Sequence, residues 1–129
     1  DAQESRGLGD VYKRQGKEPA SWVYEVPLEA ICREVCRAMG IGEDKLYSAS
    51  KGREGARGRA VVGYLARRVG GYTVKETGEY FRRSAVAIGE GIMKVEELVR
   101  RDKSFAETLK RMEEKVIKGR KRKYRVSVA

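Results

Sequence analysis

An all-α domain of five to six helices is the fold predicted by three features of this 129-residue sequence. Apolar residues recur at helical spacing in three long stretches, residues 28–39, 88–99 and 105–116. Stops and starts punctuate them, with Gly40 and Gly70-Gly71 able to end helices and Thr73, Ser84 and Asp102 able to cap them. No credible run of strands and no internal repeat is present.

Residues 1–27, "DAQESRGLGDVYKRQGKEPASWVYEVP", are polar, glycine-bearing and aperiodic, which predicts a disordered leader. Within them "RGLGDVYKRQ" looks like translated adapter sequence, so an artificial front end is expected, with an ordinary flexible linker as the alternative. Trp22, Val23, Tyr24 and Val26 can pack as a short extended piece before Pro27. The folded domain is expected over residues 28–118. Its first helix carries Leu28, Ile31, Cys32, Val35, Cys36 and Met39 on one face and ends at Gly40. A short helix over Glu43–Tyr47 follows, then the glycine- and cation-rich "SASKGREGARGR".

Val62, Leu65 and Val69 define the third helix, whose start is blurred by Gly55, Gly58 and Gly63 unless close helix or phosphate approach requires them. Thr73 with Glu76 has capping-box spacing and opens a short fourth helix with Val74, Gly78 and Phe81 inward. Ser84 caps the fifth, with the stripe Ile88, Ile92, Val95 and Val99. Asp102 or Ser104 opens the sixth, with Phe105, Leu109, Met112 and Val116 inward and Glu107 paired with Arg111. Residues 119–129 lose the stripe and are expected to be a mobile basic tail.

Charge is unevenly placed within the net +10. Residues 1–50 carry 7 cations and 9 anions, residues 51–101 carry 12 and 6, and residues 102–129 carry 10 and 4. Such a basic remainder suggests a polyanionic partner, with a solvated basic surface as the plain alternative. Histidine is absent, which removes Ser-His-Asp and Cys-His catalysis and the usual neutral-pH base. No phosphate-cradling G-x-x-x-x-G-K-[ST] run occurs, and the carboxylates, lysines and tyrosines form no recognisable catalytic grouping. The expectation is no enzyme, no cofactor and no metal, with Cys32 and Cys36 as reduced core thiols. With no apolar run of about 18 residues and no leader of signal-peptide type, a cytoplasmic location and no membrane partner are expected.

The joint "FRRSAVA", Phe81 to Ala87, carries the functional reading. A short helix, a tight turn and a second helix that begins with small side chains form the outline of a helix-turn-helix. Ser84, Ala85, Val86 and Ala87 are narrow enough for the second helix to enter a major groove, with Arg82 and Arg83 placed for phosphates or guanine edges. Lys51, Arg53, Arg57 and Arg59 add cations before the third helix, and Lys75 adds one on the fourth. A helical hairpin with solvated arginines is the competing structural reading.

With "SKGREGARGRAVVGYLARR" and "TVKETGEYFRRSAVAIGEGIMKVEEL" in view, residues 28–117 resemble the C-terminal, Trp-repressor-like DNA-binding domain of the bacterial replication initiator DnaA. They are more similar to the DnaA-like domain at the C-terminus of REP-associated tyrosine transposases, which often carry an R-S-x-x-[AV]-like run at the recognition helix. The resemblance implies a basic loop (Lys51, Arg53, Arg57) reaching the minor groove and a recognition helix (Arg83 to Ala87) reading the major groove of double-stranded or hairpin DNA, in a bacterial, nucleoid-associated protein. The initiator's Gly-Gly-Arg-Asp-His-Thr-Thr-Val is kept here only at Arg83, with Ser84 and Ala85 in place of its Asp and His, so initiator-box specificity is not implied. The transposases' catalytic domain precedes this module, which implies an upstream domain missing from this chain. The alternative function is a basic helical RNA-binding or protein-interaction module, against which the scattered tyrosines weigh because single-strand binders group their aromatics.

Overall fold

The computed structural model describes residues 21–48 and 52–126, in the order β1 (Ser21–Tyr24), α1 (Leu28–Met39), α2 (Glu43–Leu46), α3 (Arg53–Leu65), a π-helical turn (Ala66–Gly70), α4 (Val74–Phe81), α5 (Ala85–Arg101), α6 (Lys103–Ile117) and β2 (Arg122–Val126). The chain divides into two compact parts, a helical one spanning Tyr24–Lys121 and a strand-bearing one whose described residues are 21–23 and 122–126. The fold is all-α, with six α-helices and one two-stranded sheet, β1 beside β2, among the described residues. In the strand-bearing part the Arg122 guanidinium lies 4.8 Å from the Trp22 ring centre, a cation-π contact.

The helical part is built around α3, which packs against α1, α2, α4 and α5, while α6 packs on α1 and α5. The stripes read from sequence are the buried ones. Ile31, Cys32 and Val35 of α1, Ile88, Ile92 and Val95 of α5, and Leu109, Met112 and Val116 of α6 join Val61, Val62 and Leu65 in one core cluster. Burial drives the Cys32 thiol up from its ordinary 9.0 to about 11, which keeps it a neutral apolar group.

Helix ends follow their predicted chemistry. Gly40 closes α1 in the left-handed region (φ 67°). Thr73 and Glu76 form a reciprocal capping box: the Glu76 N–H donates to Thr73 Oγ1 at 3.0 Å, and the Thr73 N–H donates to Glu76 Oε1 at 2.8 Å. Ser84 Oγ accepts from the Ala87 N–H at 3.1 Å, and Asp102 Oδ1 accepts from the Phe105 N–H at 3.1 Å.

Four features depart from the sequence reading. Helix α3 starts at Arg53 and ends in a π-turn, which Tyr72 closes by donating its N–H to the Ala66 carbonyl at 3.1 Å. Residues 122–126 form β2 where an unpatterned tail is predicted, because pairing between distant segments leaves no local signature. Thr77 is fully buried on the inner face of α4, while Val74 is only partly covered. Arg111 reaches Thr108 Oγ1, at 3.5 Å, rather than Glu107.

The crossing of α4 and α5 depends on Gly78. A Cβ there would stand 2.6 Å from the Arg83 carbonyl oxygen, a backbone atom that cannot rotate aside. Gly78→Ala is therefore expected to cost about 1–3 kcal/mol by overpacking, read as a lower urea midpoint. An unchanged midpoint would mean that the turn is free to move.

Candidate nucleic-acid interface

The chain leaves α4 through a Schellman-type turn, in which the Arg83 N–H donates to the Gly78 carbonyl at 2.8 Å and the Arg82 N–H to the Glu79 carbonyl at 3.3 Å. Such a turn needs one residue in the left-handed region, and here it is Arg82 (φ 58°, ψ 45°). Among the described residues it is the one non-glycine with positive φ. Glycine is the usual occupant because its lack of a Cβ removes a steric cost of roughly 1–2 kcal/mol. An exposed arginine therefore stands at the turn's apex against the local backbone preference.

Beyond the turn, the amino end of α5 is open. Ser84, Val86 and Ala87 are exposed, Val86 to 70%, and Ala85 is partly covered. Ile88 and Ile92 point inward and anchor the helix. No acidic residue occupies its first turn, so the positive end of the helix dipole faces solvent without a countercharge from its own sequence.

The predicted cations separate into two groups. Arg53, Arg57, Lys75 and Arg82 are exposed. A groove of about 420 Å³ between α3 and α5 brings Arg53 and Arg57 to the same surface as Ala87, along with Glu90, Lys94 and Phe105. The Arg57 guanidinium sits 6.0 Å from the Phe105 ring centre. Lys94 is missing from the sequence-predicted set, although its spacing of seven residues from Ala87 places it on the same helix face. Lys51 lies outside the described residues.

Arg59 and Arg83 belong to the second group. Arg59 is only 5% exposed, and its Nη1 donates to the Leu46 carbonyl at 2.9 Å and the Ser48 carbonyl at 3.4 Å. Burial, together with the Arg83 charge nearby, lowers its pKa from the usual arginine value. Arg83 is half-buried and donates from Nη2 to the Ser48 carbonyl at 2.8 Å. Arg59 is therefore corrected from a nucleic-acid contact to an internal support: its donors serve the carbonyls at the end of α2. Sequence carried a signal for this, since Arg59 lies four residues after Gly55 and three before Val62, on the buried stripe of α3, whereas Arg57 lies off it.

Aromatic contacts brace the same corner. Tyr47 packs against Tyr80 and Phe81 with ring centres 5.8 and 5.9 Å apart, and the Tyr47 and Tyr80 hydroxyls share a 2.7 Å hydrogen bond. The end of α2 is thus held to α4 by rings and to α3 and the turn by guanidiniums. Among the described residues, no cluster of three or more His, Cys, Asp or Glu side chains could hold a metal ion, and no helix is long and apolar enough to cross a membrane.

Over 73 residues the chain is 29% identical to the chromosomal replication initiator protein DnaA of Pseudothermotoga lettingae. The match covers 57% of this chain and 16% of that protein, so the chain spans only a small part of the relative's length. No family model matches the sequence.

Two substitutions on α3 separate support from surface. Arg59→Met leaves the Leu46 carbonyl without its buried donor and is expected to cost about 1–3 kcal/mol, whereas exposed Arg57→Met should change stability by less than about 0.5 kcal/mol. Paired denaturation curves check this. Equal losses would show that the Arg59 bonds contribute nothing particular.

Proposed function

We propose that residues 28–118 are a non-catalytic, double-stranded DNA-binding domain whose helix-turn-helix is α4 and α5. The amino end of α5 enters the major groove. There Ser84 and the backbone approach the base edges, and Val86 and Ala87 offer apolar contact to thymine methyl groups. Arg82, Arg53, Arg57 and Lys75 neutralise phosphates, with Lys51 in the basic loop adding to them. Arg83 aligns the turn through the Ser48 carbonyl and contributes its charge to the same surface.

The observation that carries this reading is the shared groove: Arg53 and Arg57 from the start of α3 border one surface with Ala87 of the first turn of α5 and Lys94 further along it. The similarity to a chromosomal replication initiator supports duplex DNA as the ligand. Ser84 and Ala85 stand where that family's base-reading Asp and His are expected, which supports a target other than the initiator box. The run Arg83 to Ala87 supports a finer assignment, the C-terminal module of a transposase-like protein that anchors its parent on duplex or hairpin DNA. An in-frame nuclease domain with a His-hydrophobe-His site, encoded upstream in the gene, is the expected finding. An unrelated upstream sequence would remove that assignment.

Binding should follow salt. If about five cations each neutralise one phosphate, log affinity falls with log salt at a slope of roughly −4.5, and Arg57→Ala makes the slope shallower by about 1. Labelled duplex, hairpin and single-stranded oligonucleotides titrated at several salt concentrations check this, and preference for single-stranded RNA would overturn the reading.

Arg82→Gly separates binding from stability. It should raise stability by about 1 kcal/mol by relieving the left-handed strain and at the same time weaken duplex binding. A variant that is both more stable and equally tight would show that Arg82 has no part in the interface.

A further inference from the structure

A second cationic surface lies on elements that the helix-turn-helix does not use. Between α1 and the carboxyl end of α6 runs an open cleft of about 360 Å³. Arg33, Glu34 and Arg37 line it from α1, and Lys115, Lys118 and Arg120 from α6 and the turn that follows. Glu34 is its one carboxylate, and Arg37 engages it at 2.6 and 3.0 Å. Arg120 spends one of its five N–H donors on the Val116 carbonyl, at 3.3 Å.

A helix dipole explains part of this. Cations at the end of α6 offset the partial negative charge of its last carbonyls. Arg37, in the last turn of α1, likewise offsets that helix's own dipole and pairs with Glu34, but neither dipole explains Arg33, in the middle of α1. Cations on two facing walls, with the single carboxylate already paired, are complementary to a row of regularly spaced anions running between them. The cleft is open rather than enclosed, which suits a strand passing through it better than a small captured molecule.

We propose that this cleft takes the sugar-phosphate backbone of a second DNA duplex, so that one copy of the domain bridges two duplex segments. The bridging rests on the helix-turn-helix reading for its first duplex, whereas the cleft itself shares with that reading only the class of ligand. No residue of the cleft belongs to α3, α4 or α5. Contact there is to backbone alone and is therefore indifferent to sequence.

The test uses an immobilised duplex, a fluorescent duplex in solution and the full chain. The wild type should capture the second duplex on the first. Arg33→Ser with Lys115→Ser and Lys118→Ser should reduce that capture at least about tenfold and make its salt slope shallower by about 3. Binding to a single duplex in excess should stay within error and the protein should stay folded with a slightly lower thermal midpoint, because all three side chains are exposed and two of them offset the α6 dipole. Capture that survives the triple variant would mean that bridging comes from self-association, and the proposal falls. It falls equally if the wild type binds one duplex and captures no second. Conversely, Arg57→Ala with Arg82→Ala should weaken the first site and leave the cleft's share of binding. Should that pair change nothing while the triple variant abolishes binding, the helix-turn-helix reading fails and the bridging with it, and the cleft alone remains as a duplex site.

Discussion

Two guanidinium groups converge on one backbone oxygen, the carbonyl of Ser48, and the arrangement around the turn is organised by that convergence. Arg59 comes from the middle of α3 and Arg83 from the joint between α4 and α5, so three separate pieces of chain meet there. Like charges at close range repel, and burial withholds the solvent that would screen them. The arrangement holds because carbonyl dipoles at the end of α2 face the charges and because Tyr47, Tyr80 and Phe81 pack beside them. The amino end of α5 thus inherits its position from a buried polar contact as much as from its apolar stripe.

Local chemistry is what the sequence displays most openly. Leu28 to Met39 showed its buried face by spacing, and Gly40, Thr73, Ser84 and Asp102 showed the helix ends, because each acts within one turn of itself. Of the candidate surface, the open first turn from Ser84 to Ala87 follows from the cap and the stripe. Hidden were the features that depend on chain segments far apart. Arg59 lies on the buried stripe of α3, but which carbonyls it serves shows only when α2 is laid across it, and β2 becomes a strand only beside β1. Arg83 is ambiguous for the same reason, being both surface cation and internal tie.

Glycine illustrates how one composition signal carries more than one meaning. The glycines of α3 read as helix weakeners, yet a Cβ at Gly55 would collide with the Lys45 carbonyl. That position must stay bare for α2 to cross. The loss in helix propensity is offset by the packing it permits. The cations of α3 are sorted by geometry in a comparable way: Arg59 on the buried stripe serves carbonyls, and Arg53 and Arg57 off it remain at the surface.

Asp102 closes one helix and opens the next, with its N–H on the Leu98 carbonyl at 2.8 Å and its carboxylate on the Phe105 N–H at 3.1 Å. A joint of one residue, hydrogen-bonded to both helices, restricts the angle between α5 and α6, which also pack against each other. At 1.5 Å of rise per residue each helix runs about 20 Å from that joint, so the angle set at Asp102 fixes where both far ends lie.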